Sequence, residues 1–141
     1  MATAPSEQTG VLATTYGNGA TAAVTTAYVS CKDFATFQAM VLTSTTADAF
    51  TAKLIQATDA AGTGSKDITD HTVTVAAGDA ANAVVTIDLI TDALDEDFTH
   101  IALSLTPTGA TDFAATISGF EPNYAGQKLL GIAAQAIRVK P

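Results

Sequence analysis

Tryptophan is absent from this chain of 141 residues, aromatic residues make up 6%, and one cysteine, Cys31, stands alone. A single cysteine excludes an intrachain disulfide and fits assembly in a reducing compartment. With only His71 and His100 beside it, and no HxxxH, HExxH or paired cysteine, it leaves too few ligands for a zinc site, so no metal is expected. Basic residues are also scarce: 6 Lys and Arg stand against 14 Asp and Glu, a formal net charge of -8. Phosphate contacts come from Lys and Arg, so no nucleic-acid partner is expected. No run approaches the ~18 consecutive apolar residues of a membrane span, so no membrane partner is expected either. The opening MATAPSEQTG has neither the basic n-region nor the apolar h-region of a signal peptide.

What the chain does have is small, β-favouring and alternating. Apolar residues reach 48%, much of it alanine, and threonine and valine are abundant where the helix formers Glu, Lys and Arg are few. The length is one domain's worth, enough to bury roughly two-thirds of the unfolded surface without a metal or disulfide. From Ala23 onward the period is two. Val24, Tyr28 and Ser30 alternate with Thr25, Val29 and Cys31. Phe37, Ala39 and Val41 share one face, with Met40 and Leu42 on the other. The same reading covers residues 50–55, 71–75, 85–89, 101–106 and 113–118. Turn signals (TTAD, DAAGTGS, AAGDAAN, TPTGATD) separate these runs.

The pattern predicts an all-β fold: an antiparallel, jelly-roll-like β-sandwich of about seven to eight strands. A strand apolar on both faces, such as 37–42, belongs at the centre of a sheet or at an interface. The expected organisation is an extended N-terminal arm over 1–22, a sandwich over 23–124 and an extended C-terminal arm over 125–141. One helical turn capped by Thr91 or Asp92 is expected in TDALDEDF, 91–98.

Few segments look like sites. KLIQATDAAGTGSKDIT, 53–69, has two glycines and a lysine, but not at the spacing of a phosphate loop, and an extended run follows in place of a helix. A hairpin loop with glycines at positive φ is the better reading. Asp92, Asp95, Glu96 and Asp97 lack the spacing of a calcium loop and read as a solvated turn. Cys31 lies on a predicted strand and behaves as a small hydrophobe, with no nucleophile signature around it. No catalytic residue and no cofactor are expected, and the chain is not read as an enzyme.

The ends carry the interaction signal. After Glu121 there is no acid, yet Lys128, Arg138 and Lys140, half of all the bases, lie there. Leu129, Leu130, Ile132, Ile137 and Val139 form an apolar strip beyond the last strand, and such strips mark interaction sites. With Val11, Leu12 and Tyr16 of the N-terminal segment, these eight residues are the expected partner interface.

The same segment that resembles a loop also carries a resemblance. AKLIQATDAAGTGSKDIT resembles a recurring segment of small proteins encoded among the capsid genes of tailed bacteriophages, where a strand ending in QATDASGTG is followed by KDIT. AYVSCKDFATFQAMVLT and FTHIALSLTPTGATDFAATISG are similar to two further segments of those proteins, with FEPNY closing the second. The resemblance covers roughly 23–124. It implies a virion structural protein with a β-sandwich fold, of the capsid decoration or cement type. Such a protein sits on the outer surface of the head shell, with the major capsid protein and itself, as a homotrimer, for partners. Rival readings are a tail, head-completion or fibre-base protein, or a host-glycan-binding module with Tyr16, Tyr28 and Tyr124 as its few candidate aromatics.

Overall fold

The computed structural model describes residues 9–122. Nine strands are present among them: β1 (Thr9–Ala20), β2 (Val24–Thr25), β3 (Val29–Ser30), β4 (Phe34–Thr43), β5 (Phe50–Ala57), β6 (Lys66–Val75), β7 (Val84–Ile90), β8 (His100–Pro107) and β9 (Thr111–Pro122). A four-residue helix α1 (Ala77–Ala80) and a single 3-10 turn (Thr91–Ala93) complete them. One sheet has the order β1-β9-β4-β7. The other has β2-β8-β5-β6, with β3 also pairing β8. Every pairing is antiparallel. With β2 and β3 taken as one interrupted strand, the chain crosses between sheets at most of its connections, which is the jelly-roll arrangement.

Alternation builds the core. Phe37, Ala39 and Val41 of β4 face Ala52, Leu54 and Phe50 of β5, with Leu103, Leu105, Ile117 and Leu89 closing the layer, all buried. Each large side chain withdrawn in this way contributes about 1.5–3 kcal/mol of transfer free energy. Phe34 and Phe37 meet edge-to-face, with centroids 6.1 Å apart. Gly119 makes room there: a Cβ on it would lie 2.5 Å from the Phe34 ring.

Three segments depart from the sequence reading. Residues 9–20, expected within an arm, form β1 and pair with β9 from Thr9↔Phe120 to Ala20↔Thr111. The inward positions of β1 are small (Gly10, Ala13, Gly17), so no apolar stripe announces a core-facing strand. Residues 1–8 and the expected C-terminal arm, 125–141, lie outside the described residues. In β6, Lys53↔Thr72 is followed by Ile55↔Asp67, so residues 68–71 stand opposite Leu54 alone. This wide bulge turns Ile68 into the core and holds Asp70 at φ 61, and it hides the first half of the strand from a period-two search. The turn at 91–93 has Ile90 at its N-cap and no side-chain cap bond, so neither Thr91 nor Asp92 caps it.

Candidate interaction surface

The register fixes what each sheet presents to solvent. On the outside of the β1-β9-β4-β7 sheet, cross-strand rows read Thr9–Phe120–Thr36–Ile90, Val11–Ser118–Gln38–Asp88, Thr14–Thr116–Met40–Thr86 and Tyr16–Ala114–Leu42–Val84. The last row is apolar across all four strands. Tyr16 is 78% exposed, Val84 63% and Leu42 44%, while Ile90 and Val11, two rows or more away, are 61% and 66% exposed. These are the large exposed hydrophobic residues of the described chain, and they lie on one face. Asp88 and Asp112 are the only charged side chains at its outward strand positions. The Gln38 amide donates to Asp88 Oδ1 at 2.8 Å. The Gly19 N–H and the Ser44 hydroxyl donate to Asp112.

Two shallow depressions flank the middle of this face. One, of about 450 Å³, is bounded by Gly17, Leu42, Ser44, Asp112 and Ala114. The other, of about 320 Å³, is bounded by Thr36, Gln38, Asp88, Ile90 and Phe120. Each pairs apolar surface with one aspartate. Only the Tyr16–Ala114–Leu42–Val84 row is apolar throughout, and an exposed apolar row of this kind is a candidate docking surface.

The opposite outer face is more polar. Its rows read Thr25–Ser104–Lys53–Thr72, Thr106–Thr51–Thr74 and Ala102–Ile55–Asp67, and Lys53 pairs with Asp67 at 2.8 Å.

Of the interface residues expected from sequence, Val11 and Tyr16 lie on the apolar face. Leu12 does not: it is the unpaired residue of a bulge between Val11 and Ala13 and packs against the core. Lys128, Leu129, Leu130, Ile132, Ile137, Arg138, Val139 and Lys140 lie outside the described residues. Leu42, Val84, Ile90 and Ala114 were not singled out in sequence. The signal that points to them is the two-faced apolarity of β4, which sequence reading assigned to a central strand or an interface.

The other sequence candidates resolve into structure. The 58–65 loop closes the β5–β6 hairpin. Asp59 Oδ1 accepts the N–H groups of Ala61 and Thr63 at 2.9 and 3.1 Å, and these bonds, Thr63's foremost, hold its carboxyl below the ordinary 3.8. Gly62 sits at φ 83, and a Cβ on it would lie 2.6 Å from the Tyr28 ring. The acid cluster is stitched down by its neighbours. The buried Gln56 donates to Asp95 Oδ2 at 3.0 Å and accepts the Asp95 N–H at 2.8 Å. Lys66 pairs with the same carboxylate and lies over the Phe98 ring, and that Lys66 bond is the main reason the Asp95 carboxyl is lowered. Among the described residues no group of three or more His, Cys, Asp and Glu is placed to hold a metal ion.

Cys31 is buried, which pushes its thiol up to about 12 and leaves it protonated and unreactive at neutral pH. His71 and His100 stand on β6 and β8, with Nδ1 atoms against Thr69 O and Thr99 Oγ1. Of the three candidate aromatics for a sugar, Tyr16 lies on β1 and Tyr28 beside Gly62, in the surroundings of different sheets, and Tyr124 lies outside the described residues. Among the described residues no helix is long and apolar enough to cross a membrane.

No protein-family model matches the chain, and no curated protein sequence does. Solved structures share its fold. The PBSX exported protein XepA aligns with TM-score 0.52 and 10% identity over 86% of this chain and 39% of that one. A chain of the Cowpea mosaic virus top component, naturally occurring empty particles, aligns with TM-score 0.51 and 12% identity over 83% of this chain and 88% of that one. This chain thus spans about two fifths of the XepA chain. Identities this low establish a common fold.

Proposed function

We propose that the chain is a structural component of a bacteriophage virion, and within that class a capsid decoration protein. It binds the outer surface of the head shell, with the major capsid protein and further copies of itself, as a homotrimer, for partners. In this reading it works by adhesion, performs no bond chemistry and uses no cofactor. The observation that carries the reading is the apolar, nearly uncharged outer face of the β1-β9-β4-β7 sheet, set on an otherwise acidic body. Two findings support it further. The sequence segments resemble proteins encoded among phage capsid genes, and the fold is shared with a chain of a viral particle.

The mechanism is a sum of interfaces. A filled shell is under outward pressure, and a clamp burying surface on several neighbours raises the cost of separating them. A standard interface buries about 1,600 Å² in total. Several such contacts made by one oligomer reinforce each other through effective concentration. An acidic body belongs more naturally outside the shell than against packaged DNA.

The test is binding to heads that lack the protein, read by co-sedimentation and by stoichiometry against the major capsid protein. Decoration predicts copies in proportion to that protein. A small fixed number confined to one vertex points to a head-completion or tail component, and no binding to heads contradicts the reading.

A further inference from the structure

We propose that the outer face of the β1-β9-β4-β7 sheet is the seat for residues 126–141 of a neighbouring copy of this chain. The inference rests on the adhesion reading and supplies its oligomer contact.

Chemistry matches first. The face offers apolar surface with one aspartate at each depression, Asp88 and Asp112. Residues 126–141 offer two apolar clusters, Leu129–Leu130–Ile132 and Ile137–Val139, each with bases beside it: Lys128 at the first, Arg138 and Lys140 at the second. Within 9–122 the only bases are Lys32, Lys53 and Lys66, set against all the acids of the chain except Glu7, so the body attracts this segment and has little to repel it.

Length is sufficient. From Gln38 in one depression to Leu42 in the other is roughly 14 Å along β4 at strand rise, and residues 126–141 are long enough to run across both.

Direction favours a neighbour's segment. β9 leaves the sheet at Pro122, paired with Phe34, at the end away from Leu42 and Val84. The described chain thus ends heading away from the Leu42 depression, so a segment seated there on its own subunit would first have to reverse direction.

The test needs no virus particle, so its failure is separable from failure of the virion reading. The mass of the full-length chain is measured across a concentration series by light scattering, with far-UV circular dichroism to confirm folding. The full chain is expected to self-associate. Leu42→Asp on the face, or Leu130→Asp with Ile137→Asp in the tail, is expected to weaken association at least about tenfold, whereas Thr51→Asp on the opposite face leaves it unchanged. A synthetic peptide of residues 126–141 is expected to bind the full-length tail variant, and to lose that binding when Leu42→Asp is added. A monomer at every concentration, an oligomer that survives either set of changes, or a peptide indifferent to Leu42→Asp overturns the proposal. A monomeric chain that still decorates heads sinks this seat and leaves the virion reading standing.

Discussion

On the outside of one sheet, Thr25, Ser104, Lys53 and Thr72 stand in a row; on the outside of the other, Tyr16, Ala114, Leu42 and Val84 do. The inner faces opposite them are alike, both filled with Phe, Leu, Ile and Val. Folding explains the inner faces, because burying them drives the sandwich together. It makes no demand on the outer ones. Threonine and serine satisfy strand propensity on the first outer face at no cost in solubility. Val84 and Ile90 serve strand propensity no less well, but with Leu42 they leave apolar surface in water that threonine would not. In the adhesion reading, the difference between the faces reflects what the protein meets after folding.

The sharpest way to break this comparison sets one leucine against another. Leu54→Ala, inside the sandwich, is expected to cost about 2–5 kcal/mol in urea unfolding. Leu42→Ala, at low protein concentration, is expected to stay within about 0.5 kcal/mol. Comparable losses at the two positions would mean that Leu42 is covered by its own subunit, and the outer face would no longer be free to dock anything.

Sequence made the inner faces legible and the outer ones only partly so. The alternation of Val85, Ile87 and Leu89 or of Ile101, Leu103 and Leu105 fixes strands and their buried sides directly. β1 defeated that search because its large residues, Val11 and Tyr16, point out while Gly10 and Ala13 point in. The bulge at 68–71 defeated it in β6. Val11 and Tyr16 were expected at an interface because a weakly apolar segment leaves few choices, and they stand exposed on the outer face of their sheet. Leu42, Val84 and Ala114 were not singled out, because their alignment across β9, β4 and β7 is a matter of register between segments distant in sequence. No local pattern encodes that.

A smaller effect separates the two ends of the polar sheet's loops from its body. Asp59 and Asp95 have carboxyls lowered from 3.8, by the Thr63 bonds and by Lys66 respectively. Their contribution is present above that ordinary value and is lost as pH falls through the lower, folded one. Both side chains are exposed, so the expected consequence is local loosening of the 58–65 loop and the 91–98 turn. Amide shifts of Ala61 and Thr63 are expected to titrate with a midpoint below 3.8, and Asp59→Asn is expected to abolish that titration. A midpoint at or above the ordinary value contradicts the Asx bonding that holds the loop.

The most direct measurement of the central claim is a paired occupancy assay on heads that lack the protein. Full-length Leu42→Asp and Thr51→Asp each carry one new acid, on the apolar and the polar outer face respectively. The account predicts that Thr51→Asp decorates heads as the unaltered chain does and that Leu42→Asp falls well short of it. Equal occupancy by the two, or loss with Thr51→Asp alone, would show that the apolar face is not where this protein adheres.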